Sequence, residues 1–138
     1  MKSGEATMEN YTFRFKPGQD LFDSIEAVVI QKRIGAGCML SGVGSLAHAG
    51  LRLANRDFYS EYNGFFEIVS ITGTVSVDGS HLHIAISDGE GKTIGGHFES
   101  GCKIYTTAEI VIAVFNDVIY QRKFAEDPGY DELMVHAA

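Results

Sequence analysis

The stretch HLHIAISDGEGKTIGGH, His81 to His97, holds three of the chain's five histidines. Its first half alternates, with His81 and His83 on one side and Leu82, Ile84 and Ile86 on the other. That pattern suits a strand with one wet and one buried face. The segment DGEGK then suits a type I turn opened by Asp88, with Gly91 in the left-handed conformation and Gly89, Glu90 and Gly91 as a bulged three-residue loop. Asp88 falls opposite Lys92, and counting back sets His83 opposite His97. A hairpin of this kind commits the middle of the chain to antiparallel pairing.

Further strands are expected on both sides of it. FFEIVSITGTVSV (65–77) is rich in β-branched residues, EIVIAVF (109–115) is a continuous apolar run suited to a central strand, and VIYQRKF (118–124) follows it. AGCMLSGVGSL (36–46) and AGLRLA (49–54) read as two short strands interrupted by glycine, NRDFYSEYNG (55–64) as a polar, aromatic loop, and ELMV (132–135) as a last short strand. YTFRF (11–15) is an alternating strand ended by KPGQD. One helix is expected, capped by Asp20 and beginning at Leu21, with Leu21, Phe22, Ile25, Val28, Val29 and Ile34 along one face. Lys32 and Arg33 are placed to complement its negative end, and Gly35 to stop it. One helix against many strands gives an α+β domain, a largely antiparallel sheet with the helix packed on it. Residues 1–10 read as a loose polar tail and 11–138 as one domain, with no internal repeat or linker.

The chain has 138 residues, the size of one ordinary domain. Its formal charge is −7, from 11 Lys and Arg against 18 Asp and Glu. Nucleic acid and anionic membrane both call for clustered basic residues, so the charge disfavours them as partners. Cys38 and Cys102 make neither a C-x-x-C pattern nor a disulfide framework and read as buried thiols in a reducing compartment. No apolar run approaches the roughly 20 residues of a membrane span, and the polar N-terminus lacks the apolar stretch of a signal peptide. A cytoplasmic location is expected.

Several motifs invite a functional reading and fail on physical grounds. GVGSLA (42–47) has dinucleotide-binding spacing, but that motif needs a helix beginning there to face the pyrophosphate, and HAGLRLA reads as strand. Ser41 and Ser45 near His48 resemble a nucleophile and base only as any Ser-rich turn would. No nucleophile elbow, phosphate-binding loop or H-E-x-x-H helix is present.

The histidines remain. On a strand, His81 and His83 lie about 6.6 Å apart on one face. The three-residue turn brings His97 to the same face with its Cβ about 5 Å from that of His83, whereas a loop one residue shorter or longer sends it to the other face. His81, His83 and His97 can then converge on one ion and leave an open fourth position, as catalytic zinc sites do. Imidazole also suits nickel, iron and copper. Glu99 and Glu109 are carboxylates that sequence cannot place relative to the cluster. The plainer alternative is a polar hairpin edge with solvated histidines.

The segments FRFKPGQDLFDSIEAVV, SGVGSLAHAGLRL, GFFEIVSITGTV, HLHIAISDGEGKTIGGH and GCKIYTTAEIVI, in that order, resemble the plants and prokaryotes conserved (PPC) domain from about Tyr11 to about Val135. The resemblance implies an α+β fold with an antiparallel sheet, assembled as a homotrimer, and no settled biochemical activity. Plant members carry the domain behind DNA-binding AT-hooks, and this chain has no R-G-R-P-like hook. Where plant members read Gly-Arg-Phe-Glu-Ile in a segment tied to partner contacts, Phe65 replaces the arginine. Plant members also lack the histidines of HLH and GGH, which free-standing prokaryotic members often carry, so the chain looks like a single-domain prokaryotic member.

Three functions follow from these readings. The first is a metal-binding homotrimer, with zinc on His81, His83 and His97 and a small-molecule ligand at the metal; whether it is an enzyme is left open. The others are a DNA-associated regulatory protein and a non-catalytic interaction module.

Overall fold

The structure is a computed structural model, and it describes residues 8–138. The expected tail therefore falls largely outside the described residues. Strand β1 (Met8–Phe15) begins three residues ahead of YTFRF. After it come α1 (Leu21–Gln31), β2 (Gly37–Arg52), β3 (Tyr59–Val75), β4 (His81–Ser87), β5 (Thr93–Phe98), β6 (Lys103–Phe115), β7 (Val118–Ala125) and β8 (Tyr130–Ala137). The fold is α+β, and the described residues form one helix and antiparallel strands. Among the described residues no helix is long and apolar enough to cross a membrane.

Six strands form one sheet in the order β1-β6-β2-β3-β4-β5, and β5 also pairs with the end of β2. That second pairing joins Leu51 to Phe98 and Arg52 to His97, so β2, β3, β4 and β5 curl back on themselves. Close approach at this seam requires glycine at position 96, where a Cβ would lie 2.7 Å from the carbonyl oxygen of Arg52. Strands β7 and β8 form a separate two-stranded ribbon. It is tied to the main body where the Tyr120 amide donates to the Gly35 carbonyl at 2.9 Å and where Arg122 reaches Asp78 and Thr74.

Helix α1 starts as its sequence demands. The Asp20 side chain accepts from the Asp23 amide at 2.9 Å, and its other oxygen accepts from the Gly101 amide at 2.7 Å, fastening the cap to the β5–β6 loop. Leu21, Ile25, Val28 and Val29 are buried, each stabilising the fold by about 1.5–3 kcal/mol. The helix is shorter than expected. It ends at Gln31 and Arg33 turns left-handed at φ 52°, so Lys32 and Arg33 lie beyond the last turn instead of within it. Ile34 still reaches the core from this connection, at 1% exposure.

Two other expectations change. The segments 36–46 and 49–54 are one long strand, because β2 tolerates its glycines through register shifts against β3 and β6 rather than breaking. The expected loop 55–64 shrinks to its first residues, since β3 already begins at Tyr59 and alternates exposed and half-buried positions from there. Beneath the sheet, Leu46, Leu51, Leu82, Ile86, Phe98, Ile104, Ile110 and Ile112 fill one core with the helix.

Candidate metal centre

The β4–β5 hairpin has the predicted register. The Asp88 amide donates to the Lys92 carbonyl at 2.9 Å, and the Gly91 amide donates back to the Asp88 carbonyl at 3.0 Å. The Asp88 carboxylate further accepts from the amides of Glu90 and Lys92, both at 2.9 Å. Gly91 is left-handed at φ 82°. Asp88 thus writes the turn from its own side chain. Leu82, Ile84 and Ile86 anchor β4 in the core, at 0%, 2% and 0% exposure, which fixes the face of everything between them.

His83 pairs directly with His97. The ring centroids are 5.1 Å apart for His81 and His83, 5.5 Å for His81 and His97, and 5.8 Å for His83 and His97. One ring nitrogen from each lies within 4.8 Å of the others. Bonds of about 2.0–2.1 Å in tetrahedral geometry set such nitrogens roughly 3.3 Å apart, so the rings close further on an ion. The donor set fits a borderline transition metal: three imidazoles, two of them exposed and one half-buried, on strands held rigid from below. Glu109 takes no part in this group; it lies exposed on β6, opposite Arg14 of β1.

Glu99, which sequence could not place, stands beside the cluster. One carboxylate oxygen lies 2.9 Å from His97 Nε2, and the other accepts from the Tyr59 hydroxyl. A ring whose Nε2–H donates to Glu99 keeps its Nδ1 lone pair free, which is how a carboxylate orients a metal-binding histidine. Burial first, then the Arg52 guanidinium and the other two histidines, push His97 down to about 4. Burial, with His83 and Arg122, also lowers His81, against an opposing pull from Glu132. Both shifts favour the neutral imidazole, and a neutral His97 protonated on Nε2 donates that N–H to the Glu99 carboxylate.

The other sequence candidates do not assemble. Ser45 Oγ lies 2.7 Å from Thr106 Oγ1, while His48 Nδ1 lies 2.8 Å from Asn63 Oδ1, so each has its own partner. GVGSLA lies wholly within β2, with no helix to face a pyrophosphate. Cys38 and Cys102 are free thiols, and burial raises both, Cys102 to about 11. A thiol that stays protonated is a poor nucleophile. A cleft of about 700 Å³ lies at the opposite end of the hairpin, between the β4–β5 turn and Glu61–Phe66, and no histidine of the cluster lines it.

Sequence reasoning missed Arg52 and Tyr59. Arg52 is the register partner of His97 on β5 and of Tyr59 on β3. Neither residue carries a local motif, and only the closure of β2 onto β5 brings them to the cluster.

Comparison with known proteins agrees with this architecture. The family model described as the Plants and Prokaryotes Conserved (PCC) domain matches residues 2–116. Bifunctional protein GlmU of Synechococcus sp. (strain JA-3-3Ab) is 42% identical over 125 residues, which are 91% of this chain but only 20% of that protein. The chain thus spans about a fifth of the length of this curated relative. A hypothetical protein from Salmonella has a crystal structure with TM-score 0.93 at 35% identity, covering 97% of each chain. Two more distant structures share the fold. The metal-containing protein AF0104 of Archaeoglobus fulgidus has TM-score 0.79 at 23% identity over 97% of this chain and 99% of its own. A protein of Bacteroides thetaiotaomicron described as a putative DNA-binding protein has TM-score 0.81 at 18% identity over 94% and 96%.

Proposed function

The chain belongs to the Plants and Prokaryotes Conserved domain family, and from that premise we propose that it is a metal-binding homotrimer, with a zinc-type ion on His81, His83 and His97. The observation that carries this reading is the convergence of the three imidazoles within 4.8 Å, set by a turn of defined register. The description of the Archaeoglobus relative as metal-containing agrees with it. When bound, the ion supplies Lewis acidity toward an oxygen-bearing ligand at an open coordination position. The chain's own residues do the rest. Glu99 fixes the His97 tautomer and ring plane, Tyr59 fixes Glu99, and the buried row under β4 keeps His81 and His83 on one face. Assembly as a trimer is supported by the large apolar side chains exposed on β2, β3 and β6, namely Leu40, Val43, Phe65, Val69 and Tyr105.

Metal analysis of protein purified without a histidine tag tests the reading. About one ion per chain is expected, with loss of most of it in His83→Ala. A content far below one per chain in the native protein overturns it. Light scattering tests the trimer.

A DNA-associated role is a second reading, favoured by the description of the Bacteroides relative and opposed by the charge of −7. It requires a mobility shift at low salt that fades as salt rises.

A further inference from the structure

The face that carries the imidazoles is flanked by two arginines. Arg52 ends β2 and is the direct partner of His97, so their side chains leave the sheet on the same side. Continuing across the strands, His97 pairs with His83, and Thr74 of β3 pairs with His81. There the row meets Arg122, whose Nη2 donates to Thr74 Oγ1 at 2.8 Å. The cluster thus has Arg52 on its β2 side and Arg122 on its β3 side.

Arg52 is half-buried, and among the described residues no carboxylate pairs with it. Glu99 is engaged by His97 and Tyr59. Glu132 of β8 acts on His81, at the other end of the row. A half-buried, unpaired guanidinium on the face of the three proposed metal ligands repels a cation, unless an anion lies between them. Its flat fork of donors matches the two oxygens of a carboxylate.

Resting on the metal-centre reading, we infer that this site takes a small monocarboxylate as its ligand, with Arg52 as the residue that grips it and sets specificity. Glu99 and Glu132 offset the charges of Arg52 and Arg122, so the side chains around the cluster add no net positive field that would favour a more highly charged anion such as phosphate. Arg122, already held by Thr74, contributes positive field rather than a direct grip.

Cobalt(II)-loaded protein, with metal content measured first, supplies the test, and acetate is the probe. Acetate added at constant ionic strength should change the visible cobalt spectrum at concentrations where chloride and phosphate do not. Arg52→Gln should keep its cobalt and weaken acetate binding at least about tenfold, the loss expected for one charge-assisted contact. Arg52→Lys, which keeps the charge but not the fork, should weaken it as well. Should Arg52→Gln not fold, the lysine variant and the anion ranking of the native protein decide. Native protein that binds acetate no better than chloride, or phosphate better than acetate, overturns the inference, as does equal acetate binding in native and variant. A native protein that takes up no cobalt instead overturns the metal centre itself, so the two failures are distinct.

Discussion

His83 and His97 are direct cross-strand partners, and the sole covalent path between their strands is the loop Gly89-Glu90-Gly91 closed by Asp88. Loop length therefore decides whether three imidazoles share a face. Deleting Glu90 should leave all five histidines in the chain but turn His97 away. Metal content is expected to fall from about one per chain to near zero, with circular dichroism still reporting sheet. A folded deletion variant that keeps its full metal would show that the register does not matter.

In the proposed centre Glu99 is a partner of His97, 2.9 Å from its Nε2, and not one of the three ligands. Glu99→Gln should lower metal affinity about 10–100-fold, the usual effect of losing such an outer partner, while leaving one ion per chain at saturation. Competition titration with a chelator measures both quantities. Unchanged affinity would assign Glu99 a purely structural role with Tyr59.

The metal-free protein should be sensitive to mild acid. Burial and Arg52 lower His97 from 6.5 to about 4, so between those values the unfolded chain binds a proton that the folded chain refuses. Stability then falls as pH falls through that window and is indifferent to this group above it. His81 is lowered too and adds in the same direction. Urea unfolding of metal-free protein at a series of pH values should show a shallower decline in His97→Gln. Equal slopes would remove His97 as a source of the effect.

The β2–β5 seam should tolerate no side chain at position 96. A Cβ there meets the Arg52 carbonyl oxygen at 2.7 Å and its carbonyl carbon at 3.3 Å. Gly96→Ala should cost about 1–3 kcal/mol, as overpacking does, and should weaken metal binding because it moves the neighbour of His97. Thermal unfolding measures the first and chelator competition the second. Gly89→Ala, at a position where an added Cβ meets nothing within 4 Å, is the control.

The parts of this site that sequence made legible are those with local causes. Asp88, Gly89 and Gly91 spell out their own turn, and Leu82, Ile84 and Ile86 declare the buried face by alternation, so the His83–His97 register followed. Asp20 likewise announced the start of α1. What stayed hidden was set by distant partners. Arg52 meets His97 only because β2 runs on past its glycines and closes onto β5, and the pattern of either segment alone says nothing of the other. Tyr59 looked like loop because Asp57, Ser60, Glu61 and Asn63 are polar, yet β2 supplies the ladder that makes it strand. The end of α1 was misjudged because Ile34 continues the apolar spacing while Arg33 has already left the helix.

The division of labour along β4 has a bearing on how such a protein changes over time. Leu82, Ile84 and Ile86 hold the scaffold from beneath, while His81 and His83 stand exposed above it. Replacing the upper residues leaves the lower ones undisturbed. A lineage can therefore exchange the side chains on the outer face of this hairpin while inheriting the same architecture.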